Sequence, residues 1–385
     1  MGSKSELIAR PQSQLAELLA QRIRQTGTIS FHDWMAEALY HPEFGYYNRA
    51  DLVRWGRQGD YRTSPERTEL FAATFARYFV SLYEQLGQPA EFNIVEMGAG
   101  NGEFAAGALA KLKQSSPNLF NATRYLIIEK SQASRQVAKE QLYEFHDRVR
   151  FAENEELAQF QSGILFTNEL LDAFPVHRLT VCAGELKEFF VSIDDEGEFV
   201  WVLDKPSSEE LTKVCPSLRE GQIVELNLRI ADWFKKVAAL LATGYVVTVD
   251  YGGPASELYS AEHRPNGTIR AFRRHEFIDD VLSDPGDCDI TCSVNWTVVE
   301  SEGKKHGFDV TQFSRLDKFL MEAGILEELE FRLNQAGSEA EKSAVTTSAR
   351  EMILPGGMAS SFQVLVQKRQ NRNAVASGSQ PIKGS

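Results

Sequence analysis

The chain has 385 residues, 43% hydrophobic and 25% charged, with a formal net charge of -13. That length fits one large domain with insertions or two domains, and either can bury a substantial core. The acidic balance argues against a nucleic-acid scaffold, which carries a basic stripe, although a local basic run lies at 264–274; no apolar run reaches the roughly 18 residues of a membrane-spanning helix.

The first residues, Met1 to Glu6, lack the apolar core of a secretion signal. They fit the myristoylation pattern poorly, because Glu6 stands where Ser or Thr belongs. They resemble a mitochondrial presequence only weakly, which favours a bacterial cytoplasmic protein over a mitochondrial one. Helical periodicity covers 15–25 and Gly27 closes it. Ser30 stands where an N-cap belongs, ahead of a second helix over 31–40. An aromatic turn follows at 41–47, with Trp34, Tyr40, Phe44 and Tyr46 read as core packing. A polar loop at 59–66 contains Gly59, Asp60, Thr63 and Ser64, and a long amphipathic helix runs over 69–86. Residues 1–90 therefore form an N-terminal helical and lid region.

An apolar run from Phe92 ends in Glu96 and then Gly98, Ala99, Gly100 and Gly102, before an Ala- and Leu-rich helix at 103–113. Strand, glycine turn and helix make the first half of a nucleotide crevice. Glycine admits unusual dihedrals and close approach of a ligand. A dinucleotide fingerprint needs G-x-G-x-x-G, and a carboxylate is a poor neighbour for a pyrophosphate. The E-x-G-x-G-x-G spacing instead resembles the first motif of class I S-adenosylmethionine methyltransferases. Their ligand carries an ammonium and a sulfonium, which Glu96 would face directly or through water. A second apolar strand ends at Glu129, at the distance a βαβ unit requires. A carboxylate there can accept both ribose hydroxyls of an adenosine.

A helix over 132–143 and strands over 149–151 and 163–167 come next, the last ending at Asn168. Residues 181–203 alternate around Asp194 to Gly197 and read as a hairpin. A helix over 226–241 leads to a fifth strand, 245–249, which ends at Asp250 and Tyr251, and 362–366 is the last strand. The tail, 371–385, has the composition of a disordered segment. The fold class is α/β: a doubly wound, largely parallel, Rossmann-like sheet with an N-terminal helical segment and a central insertion. The cofactor-binding domain spans 91–370, with the insertion at about 176–240 and a substrate-side segment at about 252–310. Ligands bind beyond the carboxyl ends of such strands, and here those ends carry Glu96, Glu129, Asn168 and Asp250. The four cysteines (Cys182, Cys215, Cys288, Cys292) show no metal spacing and read as reduced thiols.

Several blocks together resemble the MidA family, which includes a mitochondrial complex I assembly factor that methylates arginine. They are FHDWMAEALYHPEFGYY at 31–47, GDYRTSP at 59–65, VEMGAGNG at 95–102, NELLDAFPVH at 168–177, VDYG at 249–252 and NGTIRAFRRH at 266–275. The NELLDAFPVH block is the most specific. The resemblance spans about 28–368, with departures at Gln222 and Ala359. It implies S-adenosyl-L-methionine as cofactor and a protein substrate, such as a respiratory-complex subunit. No nucleic acid, metal or membrane span is implied, and the oligomeric state is left open. Gly59 and Thr63 would then belong to a lid over the cofactor, and Asn168 would lie nearest its methionine part.

Glu169 and Asp172 are three residues apart just beyond a strand end. If 168–173 turns helically, both carboxylates share one face and form a clamp for a planar guanidinium. Alone, the same pair reads as a capping residue and a surface acid; with the resemblance, Asn168, Glu169 and Asp172 become the catalytic candidates. Arg270, Arg273 and His275 either face substrate or pair with acids, and His177 reads as structural. Protein-arginine methyl transfer is the leading function. The alternatives are a small-molecule N- or O-methyltransferase and a cofactor-binding assembly chaperone.

Overall fold

The computed structural model describes residues 13–49, 51–52, 69–152, 159–273 and 276–370. Seven strands of the central sheet, numbered in chain order, are β1 (Phe92–Met97), β2 (Thr123–Ile128), β3 (Val149–Ala152), β4 (Gly163–Asn168), β5 (Gly244–Gly253), β6 (Phe308–Arg315) and β7 (Phe362–Arg369). They lie in the order β6-β7-β5-β4-β1-β2-β3, and the short strand Val294–Asn295 adds to the end of β5. The strands from β1 to β5 pair in parallel, while β7 runs antiparallel between β5 and β6. Successive connections diverge on either side of β1 and β4. This is the switch point at which an open α/β sheet forms its ligand crevice.

The strands are apolar on both faces because helices cover both. Ile94, Ile127, Phe166, Val247 and Val364 point to one side, against the helices Glu69–Gln85, Glu103–Ser115 and Leu316–Glu322. Their alternate neighbours Val95, Leu126, Leu165, Val246 and Leu365 point to the other, against Arg229–Leu240 and Trp296–Lys305. Phe104 stacks on Phe166 at 4.2 Å between ring centroids, and this contact fixes the helix that follows the glycine loop over the sheet.

The strands His177–Cys182, Glu185–Ile193, Phe199–Asp204 and Ile223–Leu226 build a separate antiparallel sheet, and Ile29–Ser30 joins it by pairing with Phe190 and Val191. The hairpin around Asp194 to Gly197 is present. A second hairpin, turning at Ala183 (φ 53°) and Gly184 (φ 76°), divides what the sequence pattern shows as one run. A three-stranded sheet of Arg270–Arg273, Glu276–Ile278 and Asp289–Thr291 roofs the carboxyl ends of β4 and β5, and the sequence reading had no element there. Ser13 and Ser30 cap the helices Gln14–Thr26 and Phe31–Tyr40 through their side chains, the second as expected. Among the described residues no helix is long and apolar enough to cross a membrane, and no cluster of potential metal ligands occurs.

Candidate active site

The glycine loop joins β1 to the Glu103–Ser115 helix at the switch point. Gly98 (φ 74°), Gly100 (φ 55°) and Gly102 (φ 80°) are all left-handed, a region costly for residues with a Cβ. A Cβ on Gly98 would also stand 3.0 Å from Leu170 Cδ1, and one on Gly102 only 2.9 Å from Ala138 Cβ. The loop is tied to the next strand end. The Gly98 N–H donates to the Ile128 carbonyl at 3.0 Å, and the Gly100 N–H donates to Glu129 Oε2 at 3.0 Å. Glu129 Oε1 accepts from the Ser131 N–H at 2.8 Å.

Glu96 is 4% exposed and accepts a 2.6 Å hydrogen bond from the Tyr125 hydroxyl. Burial pushes its pKa up to about 8; the Tyr125 hydrogen bond opposes the shift and the Glu129 charge adds to it. Tyr125 was not singled out in the sequence. Glu96, Gly98, Ala99, Gly100, Glu129, Asn168 and Glu169 all line one open cleft of about 930 Å³. Gly102 is not among its lining residues; it begins the helix behind the cleft. Tyr40, expected in the core, also lines this cleft, with Tyr47 stacked on it at 5.3 Å. Trp34 and Tyr46 are fully buried, as expected of packing residues. Gly59, Asp60, Thr63, Ser64 and His275 lie outside the described residues.

Beyond β4 the chain does not turn helically. Glu169 takes a left-handed φ of 50° while its N–H still donates to the Val249 carbonyl, and 170–174 is a bend and turn. The one-face helical clamp is therefore corrected. Asp250 organises the loop instead: its Oδ2 accepts from the Leu171 N–H at 3.0 Å and the Asp172 N–H at 3.4 Å. The Cys292 N–H holds the Asp172 carbonyl at 2.9 Å.

This loop still brings Glu169 and Asp172 together, in a second pocket of about 1190 Å³ that also contains Tyr251, Asp289 and Arg270. Glu169 lines both spaces. Asp172 is 3% exposed, and its Oδ1 has no hydrogen-bond partner among the described residues. Burial and then the Asp289 charge push Asp172 up to about 7, against the neighbouring Tyr251 hydroxyl. Burial and then Asp172 push Glu169 up to about 8. Asp289 accepts a 2.9 Å hydrogen bond from the Tyr47 hydroxyl, which links the two pockets from the other side. The sequence reading did not assign Asp289 or Tyr47; an acid opening the apolar stretch Asp289-Ile290-Thr291 was the available signal. Arg273 pairs with Asp284 while Arg270 faces the second pocket, which divides the two alternatives between them. His177 contacts Glu188 at 2.8 Å and stacks on His32, as a structural residue does.

The first cleft suits a cationic nucleoside. It is lined by the carboxyl groups of Glu96, Glu129 and Glu169, with Lys130 as its one cation among the described residues. The family model for S-adenosyl-L-methionine-dependent methyltransferases matches residues 74–314. The chain belongs to this family. It is thus an S-adenosyl-L-methionine-dependent methyltransferase. A Burkholderia thailandensis protein crystallised with S-adenosyl-homocysteine is 29% identical, superposes with a TM-score of 0.80, and is covered at 92% of each chain. Mouse (Mus musculus) mitochondrial protein arginine methyltransferase NDUFAF7 is 26% identical, covering 93% of this chain and 87% of its own length. The Drosophila melanogaster homologue is also 26% identical, over 76% of this chain and 71% of its own.

Proposed function

We propose that this methyltransferase modifies an arginine nitrogen of a protein substrate. The observation that carries the reading is Asp172: a buried carboxylate with an unsatisfied oxygen, beside Glu169 and Asp289, in a pocket sharing Glu169 with the cofactor cleft. Clustered carboxylates are costly without a counter-charge. A guanidinium is planar, permanently charged and matched to carboxylates by its fork of donors. The mammalian and insect relatives are named arginine methyltransferases, which supports the same reading.

Glu129 would receive the ribose hydroxyls and Asn168 would sit beside the methionine portion of the cofactor. Bound S-adenosyl-L-methionine supplies an electrophilic methyl carbon on a good leaving group. The chain's own contribution is first positional, a term worth up to ~7–11 kcal/mol in favourable cases. Asp172 and Asp289 hold the far nitrogens and draw positive charge toward themselves, which leaves the attacking nitrogen richer in electrons. Glu169, at the boundary of the two spaces, accepts the proton that leaves that nitrogen as its new N–C bond forms. Its pKa of about 8 suits a base working near neutral pH.

The test is quantitative mass spectrometry of proteins from cells with and without this chain, followed by transfer of labelled methyl to the corresponding arginine and lysine peptides. Loss of a methylarginine and labelling of the arginine peptide alone are expected. Labelling of a small metabolite with an unchanged proteome overturns the reading.

A further inference from the structure

The second pocket is chemically two-sided. Glu169, Asp172 and Asp289 form its inner wall, and Arg264 and Arg270 lie toward its mouth. Pairing fixes the geometry: Arg270 is opposite Thr291 and Phe272 is opposite Asp289. Residues two apart on a strand project from the same face, and so do directly opposed partners. Arg270, Phe272, Asp289 and Thr291 thus share the face that lines the pocket. Other arginines nearby have intramolecular acids: Arg273 has Asp284, and Arg178 has Glu225 at 3.4 Å. Arg270 is exposed and forms no ion pair among the described residues. Arg264 is in long contact with a half-exposed Glu257, at 3.6 Å. Such a pair contributes little and leaves most guanidinium donors available.

Two cations at the mouth of an acidic pocket weaken its attraction for a bare cation. They gain a partner when the incoming molecule carries a carboxylate a few bonds from its guanidinium. Resting on the arginine reading above, we infer that Arg270, assisted by Arg264, is an anion-receiving lip that selects an arginine accompanied by a carboxylate. The carboxylate comes either from an acidic side chain next to the target arginine or from a free chain terminus. Phe272 and Phe362 supply the apolar wall between the charged ends, against which the arginine's methylenes pack.

The experiment is calorimetric titration of the full chain loaded with S-adenosyl-homocysteine. Four probes are compared: butylguanidine, N-acetyl-arginine amide, N-acetyl-arginine, and an acetylated Asp-Arg dipeptide amide. Wild type is expected to bind one or both carboxylate-bearing probes about fivefold more tightly than N-acetyl-arginine amide, the scale of an exposed but oriented ion pair. Whichever of the two shows the gain identifies the carboxylate's source. In Arg270→Gln the affinity ratio is expected to collapse toward one. Equal affinities in wild type, or a ratio that survives in Arg270→Gln combined with Arg264→Gln, overturn the lip and leave the arginine reading standing. If wild type binds none of the guanidinium probes, the arginine reading fails and the lip fails with it.

Discussion

The cofactor cleft and the acidic pocket share Glu169, yet they are assembled over different lengths of chain. The cleft is local. Its defining hydrogen bonds, Gly100 to Glu129 and Tyr125 to Glu96, each span 29 residues, one βαβ unit. The pocket is a convergence. Tyr47 reaches Asp289 across 242 residues, and Asp250 holds the Leu171 and Asp172 amides across 79 and 78. In the cleft the loop amides and the Glu129 carboxylate already have partners. In the pocket, charge is concentrated and one Asp172 oxygen is left over. Rigidity sets the first region, and unsatisfied charge sets the second.

The sharpest way to break this contrast is to neutralise the leftover charge. Asp172→Asn is expected to lower kcat about a hundredfold, the scale of one lost preorganised electrostatic group. Its dissociation constant for S-adenosyl-homocysteine should stay within twofold of wild type, measured by calorimetry. A parallel loss of cofactor affinity would mean the two regions are one. On the other side, Gly102→Ala places a Cβ 2.9 Å from Ala138 Cβ at a φ of 80°. It should cost about 2 kcal/mol in urea unfolding. A neutral outcome would show the glycine loop to be pliable.

The smallest expected effect is a pH slope. Glu96 is held up to about 8 from 4.5, and Asp172 up to about 7 from 3.8. Carboxyls raised in the folded state stabilise it fully below their unfolded pKa, and that contribution is lost as pH rises through the folded value. The ligand-free chain should therefore lose a few degrees of melting temperature between pH 5 and 8 relative to Glu96→Gln. Activity should move the opposite way, with kcat/KM rising between about pH 7 and 8 as Asp172 becomes anionic and receives a guanidinium and Glu169 becomes able to accept a proton. A flat melting difference, or activity that falls over this interval, would contradict the assignment.

The same contrast explains what the sequence discloses. Strand, glycine turn and second acid follow one another at fixed spacing, so Glu96, Gly98, Gly100 and Glu129 are found without a structure. The helix over Phe31–Tyr40 is equally local: Ser30 and the apolar period define it. The acidic pocket offers no period. Asp289 is one acid among 54 Asp and Glu until the three-stranded sheet sets it beside Asp172. The bend at Glu169 was misread because acids three apart look helical, whereas the Asp250 carboxylate captures the loop amides that a helix would use internally. Tyr40 reads as packing because an aromatic ring gives the same sequence signal on a cleft wall as in a core.

Pairing of Ile29–Ser30 with Phe190 and Val191 has a consequence for biosynthesis. The strand Ile29–Ser30 cannot find its sheet until Phe190 and Val191 have left the ribosome, and Tyr47 waits longer still for Asp289. Contacts of such sequence separation form slowly. A nascent chain paused near residue 260 already contains β1 to β5 and the glycine loop. It still lacks the wall that receives a methyl acceptor, so the order of synthesis itself delays catalytic competence.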